Sequence, residues 1–172
     1  MPWVTRSNVQ EKELRSLLKS LQGLVNDRDY QTAVETCARS LADVDSRNKH
    51  RILGWRAMVE WWLGDKRVAL EYLEQAHQLN PEWSGHVFEK AEWLLELGDY
   101  PGAIDAAGHL IDLETKRGSD AFIDAGWFIK AYAALLNKDR ALAHLSAANI
   151  KDVKPIWLGG RMISKKDILE SC

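Results

Sequence analysis

The sequence predicts an all-α fold built from repeated helical hairpins, and three observations carry that reading. Apolar residues recur at helical spacing almost throughout, with no sustained alternation of the strand type. A short polar turn followed by an alanine-bearing helix occurs four times, with Ala33, Ala69, Ala103 and Ala141 spaced 36, 34 and 38 residues apart. The chain has 172 residues, enough for one domain with a sizeable core.

The first helix shows in Leu14, Leu17, Leu18, Leu21, Leu24 and Val25, which follow an i, i+3, i+4, i+7 rhythm. Ser7 or Asn8, with Gln10 or Glu11 three residues on, has the form of a capping box at its entrance. The turns then repeat. Asn26-Asp27-Arg28-Asp29-Tyr30 is followed by Ala33, Leu63-Gly64-Asp65 by Ala69, Leu97-Gly98-Asp99-Tyr100 by Ala103, and Leu136-Asn137-Lys138-Asp139 by Ala141. Gly54-Trp55 recurs as Gly126-Trp127, which sets the same separation as Ala69 and Ala141. Between the third and fourth units, residues 114–120 read as a polar insertion with helix ends and a longer loop. After Ile150 the pattern stops. Pro155, Gly159 and Gly160 suggest an irregular connection, and Ser164 with Asp167 a cap for a short final helix holding Ile168 and Leu169. This tail, with Trp157 and Met162, is expected to cover the open end of the stack.

These units resemble the tetratricopeptide repeat family, whose unit has 34 residues and small residues where its two helices touch. With the alanine at position 20, the second unit shows Ala57 at 8, Gly64 at 15, Ala69 at 20, Leu73 at 24, Ala76 at 27 and Pro81 at 32. The third shows Ala91 at 8, Gly98-Asp99-Tyr100 at 15 to 17, Ala103 at 20 and Ala107 at 24. The first and fourth units are degenerate, with Leu21 and Ile129 at position 8, and no unit carries Trp at position 4. The resemblance implies a right-handed α-solenoid of about four hairpins in a single domain over 1–172, with hairpins at about 14–49, 50–83, 84–117 and 120–150 and a C-terminal cap at 151–172. A hairpin cannot bury its apolar face alone, so stacking neighbours must supply one continuous core.

Composition excludes several functions. There are 23 Lys and Arg against 25 Asp and Glu, a formal charge of -2, whereas nucleic-acid binders carry a basic excess. No apolar run approaches the ~20 residues of a membrane span, and the first residues lack a secretory apolar stretch. A cytoplasmic protein with no nucleic-acid or membrane partner is expected. Cys37 falls at a packing position and Cys172 at the last residue; neither has a second cysteine at metal-ligand spacing. None of the five histidines lies three or four residues from another, and Gly159-Gly160 precedes no GKS or GKT sequence, so no metal or cofactor is implied. Glu92 and Glu96 share a helix face, with Glu89 one turn earlier. Paired carboxylates can serve acid–base chemistry when burial splits their pKa values, but no histidine or ligand set converges on these. An enzyme built on them is the weakest reading.

The eight tryptophans carry the functional expectation. In the tetratricopeptide family the first helix of each hairpin lines a concave groove, chiefly through positions 2, 5, 6, 9, 12 and 13, with 33 and 34 at its edge. By position, this places Trp55 and Trp127 at 6, Met58 at 9, Trp61 at 12, Trp62 at 13, Trp83 at 34 and Phe88 at 5. Glu92 and Glu96 fall at 9 and 13, and Trp93, at 10, belongs to the core. Each of these aromatic residues either faces the groove or packs between hairpins. Trp61 and Trp62 point about 100° apart, so at least one should reach a surface. The family's carboxylate-clamp residues are absent: position 5 holds Leu18, Gly54, Phe88 and Gly126. The resemblance thus implies a non-enzymatic module that binds a partner protein or peptide through a Trp-rich groove. A small secretion-type chaperone and an immunity protein that neutralises a toxin both fit, and the oligomeric state stays open.

Overall fold

The computed structural model describes residues 6–151, 154–158 and 160–172, and 77% of these are helical. The chain divides after Pro81 into two compact units. The first holds α1 (Arg6–Asn26), α2 (Tyr30–Asp43), a single 3-10 turn at Ser46–Asn48, α3 (Lys49–Leu63) and α4 (Lys66–Leu79). The second holds α5 (Ser84–Glu96), α6 (Tyr100–Arg117), α7 (Ile123–Leu136), α8 (Arg140–Ala148), strands β1 (Ile156–Leu158) and β2 (Arg161–Ile163), and α9 (Lys165–Ser171). Helix α1 begins at Arg6, and the capping side chains expected at Ser7 and Asn8 lie outside the described residues.

One device closes each hairpin. Asp29, Asp65, Asp99 and Asp139 precede α2, α4, α6 and α8, and each carboxylate accepts from the backbone N–H three residues on, at 3.2, 3.1, 3.0 and 3.0 Å. That satisfies one of the donors a helix start leaves without a partner. The residue before each Asp is left-handed: Arg28 at φ 60°, Gly64 at 100°, Gly98 at 80° and Lys138 at 64°.

The caps also fix the repeat frame. Four and eight residues after each Asp stand Ala33 and Cys37, Ala69 and Leu73, Ala103 and Ala107, and Ala143 and Ala147, all buried. The alanine of the fourth hairpin is therefore Ala143, whereas Ala141 is exposed. The spacings become 36, 34 and 40, and the fourth frame moves on by two residues. Ala131, fully buried, then takes the place of Ala57 and Ala91. Trp127 moves from position 6 to position 4, so the Gly54-Trp55 and Gly126-Trp127 match is not one of equivalent residues. Gly126 has its own reason: a Cβ there would lie 2.8 Å from Ile111 Cγ1, so α7 crosses α6 closely at this point.

The insertion at 114–120 is mostly helix. Helix α6 runs on to Arg117 and ends at Gly118, which is left-handed at φ 64°. Glu114, expected in a solvated loop, is buried at 1% exposure. Its carboxylate accepts from Ser119 Oγ at 2.7 Å and from the Phe122 N–H at 3.3 Å, tying the connection to α7.

The tail forms a hairpin rather than an irregular connection. Strands β1 and β2 pair antiparallel, Ile156 with Ile163, Trp157 with Met162 and Leu158 with Arg161. Leu158, Ile163 and Ile168 pack into the core of the second unit with Phe128 and Ile129, so the tail covers the last helical pair. Trp157 and Met162 do not take part, because they lie on the opposite face and are exposed. Ser164 and Asp167 form the expected capping box at the start of α9.

Candidate functional site

The residues expected to line a groove divide by burial. On α3, Trp55 and Met58 are half-buried and Trp62 is exposed at 57%. Trp61 is buried at 4%. Lys66 meets both its ring and its backbone, with Nζ 3.6 Å from the ring centroid and donating to the Trp61 carbonyl at 3.0 Å. Of the two adjacent tryptophans one faces solvent and the other is structural, as a 100° separation allows. Trp55 packs against the core of the first unit.

In the second unit, Trp83 stands exposed just before α5, with its ring centroid 6.3 Å from that of His86. The indole lies across the first turn of the helix, where Gly85 leaves it room; a Cβ there would meet its Nε1 at 2.7 Å. Phe88 stacks on Phe122 at 5.0 Å and 30°. Trp127 is half-buried against the core, with Lys130 Nζ 5.5 Å from its ring centroid. In the corrected frame it is a packing residue. Trp93 is buried, as expected.

Helix α5 carries the unusual electrostatics. Glu89 and Glu92 are half-buried, Glu96 is exposed, and the three follow i, i+3, i+7 along one face. Burial and the neighbouring charge of Glu92 push the Glu89 carboxyl up to about 7. Burial and Glu96 do the same to Glu92, also to about 7. A carboxyl in such surroundings resists ionisation because it loses water and meets a like charge. Sequence alone gives the stripe but not its desolvation, which depends on how deeply α5 sits in the unit. No group of three or more His, Cys, Asp or Glu among the described residues is placed to hold a metal ion. Cys37 is buried, which pushes its thiol up to about 11 and keeps it un-ionised and inert.

No family model matches the chain. No curated protein matches it either. Two solved crystal structures of MamA, a protein containing tetratricopeptide repeats, share the fold. One aligns at a TM-score of 0.63 with 14% identity, over 81% of this chain and 72% of that one. The other aligns at 0.63 with 15% identity, over 94% and 84%. The chain therefore has a tetratricopeptide-like helical-repeat fold, all-α with a short C-terminal cap.

Proposed function

We propose that this chain is a protein–protein interaction module, and that the α5 face formed by Phe88, Glu89, Glu92 and Glu96 receives a basic, apolar-flanked segment of its partner. The observation that carries this reading is the desolvated pair Glu89 and Glu92, raised to about 7. Neither side chain has a hydrogen bond or ion pair among the described residues. A cation from a partner would favour their ionised forms and remove that unfavourable state. The exposed rings of Trp62 and Trp83 are of the residue type enriched in binding hot spots. A tetratricopeptide-like fold, whose stacked hairpins present long recognition surfaces, agrees with this use.

Two roles are compatible with the fold, a secretion-type chaperone and an immunity protein. The recessed position of Phe88, Glu89 and Glu92 favours the first, because an extended segment reaches half-buried side chains that the surface of a folded domain does not. Affinity capture from the native cell, with mass spectrometry, supplies the partner. Glu92→Gln should then weaken binding about five- to tenfold while the protein stays folded, the usual cost of losing one charge-assisted contact. Unchanged affinity in Glu89→Gln and Glu92→Gln, with loss only in Trp62→Ala and Trp83→Ala, would move the contact off α5 and favour a folded partner.

A further inference from the structure

Glu89, Glu92 and Glu96 follow one another along a single face of α5, each beside the next at the spacing of about 5–6 Å that joins such neighbours on a helix. Glu89 and Glu92 are half-buried, and nothing replaces the water they have lost. Neither accepts a hydrogen bond or pairs with a cation among the described residues. Two carboxyls so placed resist ionising together, because each charge forfeits hydration and meets a like charge.

The elements packed on α5 within its unit, α6 and α7, bring no cation against them among the described residues. On α6, Asp105, His109, Asp112 and Lys116 are exposed, and Glu114 is held by Ser119 and the Phe122 N–H. Arg117 donates to the Glu82 carbonyl at 2.6 Å, ahead of the first turn of α5. On α7, Lys130 directs its Nζ to α6, 3.7 Å from where a Cβ on Gly108 would stand, and Asp124 accepts from the Lys151 N–H at 2.9 Å. On α5 itself, His86 is buried near the Trp83 ring, and Lys90 lies about 100° round the helix from Glu89. The charges that reach the pair belong to its own stripe, Glu92 on Glu89 and Glu96 on Glu92. Together with burial they push both carboxyls up to about 7.

We propose that capture on this face is gated by protons: the α5 stripe takes up a basic segment as Glu89 and Glu92 lose theirs, and releases it in a mildly acidic medium. The gate rests on the reading of α5 as the partner face and adds its regulation. An incoming Lys or Arg favours the ionised carboxyls, so binding expels protons, and by linkage affinity falls as pH falls. The partner's ammonium or guanidinium stays charged throughout this range, so the titrating groups are those of this chain. With a free carboxyl near 7 and a bound one near the ordinary value of about 4.3, affinity should drop about thirtyfold per carboxyl between pH 8 and pH 5.5. At pH 6.5, binding should release about three-quarters of a proton per carboxyl.

A blocked synthetic peptide of alternating Arg and Leu, whose charge is constant over this range, serves as the probe. Calorimetric titration of the full chain at pH 8, 6.5 and 5.5, in buffers of different ionisation enthalpy, reads both affinity and proton release. Glu89→Gln with Glu92→Gln should bind more weakly at pH 8 and lose the pH dependence, with melting curves showing it folded. The proton count on the unmutated chain needs no variant. Binding that depends on the two glutamates but is flat with pH, or that releases no proton, would overturn the gate and leave the partner face standing. A pH dependence that persists in the double variant would also overturn it, by assigning the titration to other groups. So would loss of binding at pH 5.5 through unfolding, read by circular dichroism. No binding at any pH, or binding at pH 8 indifferent to both substitutions, would remove the partner face and the gate with it.

Discussion

Glu89 and Glu92 link the proposed partner face to the stability of the fold. A carboxyl whose pKa is raised on folding favours the folded state only while it is protonated. That contribution is present below the unfolded value, near 4.3, and is lost as pH rises through about 7. Glu92→Gln should therefore raise the melting temperature at pH 8 by a few degrees, corresponding to about 1–2 kcal/mol, with the gain vanishing at pH 5. Glu89→Gln should behave alike, and its removal should not relax Glu92 fully, since burial comes first among the causes for both. A pH-independent difference would mean that the glutamates are solvated. The adjacent tryptophans make the opposite pair. Trp61→Ala, at a buried site, should cost about 3–5 kcal/mol of stability, while Trp62→Ala should change it by about 0.5 kcal/mol or less. Thermal melts of the two variants decide this, and equal losses would place both rings inside. Helical periodicity requires that the two rings diverge, but which of them is enclosed depends on where Lys66 and the rest of the unit lie.

Hairpin turns are the element at which most of the architecture was legible. The Asp of each turn is visible in the sequence, and it caps the following helix in all four cases. The fourth alanine misled because Ala141 and Ala143 sit on either side of Leu142, and spacing alone does not choose between them. The cap at Asp139 does choose, and it carries Trp127 into a packing position. The β-hairpin is hard to read for a related reason: Gly159-Gly160 between Ile156-Trp157-Leu158 and Arg161-Met162-Ile163 is a hairpin signal, but three residues on each side are too few to show alternation on their own. The turns also differ in strain. Gly64 and Gly98 occupy left-handed backbone freely, whereas Arg28 and Lys138 occupy it at a cost, since a Cβ disfavours that region by about 1 kcal/mol. Arg28→Gly and Lys138→Gly should each stabilise the protein by about 0.5–1 kcal/mol, less any gain in unfolded-chain freedom. Gly64→Ala and Gly98→Ala should destabilise it. Denaturant titrations of the four variants would show whether the signs divide in this way.

At the scale of the whole chain, fold class followed from period and repeat, because both are properties of the sequence that any stacked-hairpin protein must have. The proposed partner surface does not follow in the same way, because exposure and desolvation arise only when each unit is assembled. With a net charge of -2 the chain has no strong overall field, so in the proposed reading attraction to a basic partner comes from the local stripe on α5. Raising salt from about 0.1 to 0.5 M should therefore weaken that association only modestly, as screening acts least on half-buried charges. A steep salt dependence would point to exposed charges elsewhere. The four aspartate caps have a consequence for how such a chain changes length. Each hairpin carries its own start signal three residues from the bond it makes, and none of the four borrows a capping group from another hairpin. A segment of 34 to 40 residues cut at equivalent turns is thus a self-punctuated cassette. Duplicating or deleting one leaves the aspartate cap of every remaining hairpin intact, so the turn inside each hairpin is preserved when the chain grows or shortens by whole hairpins.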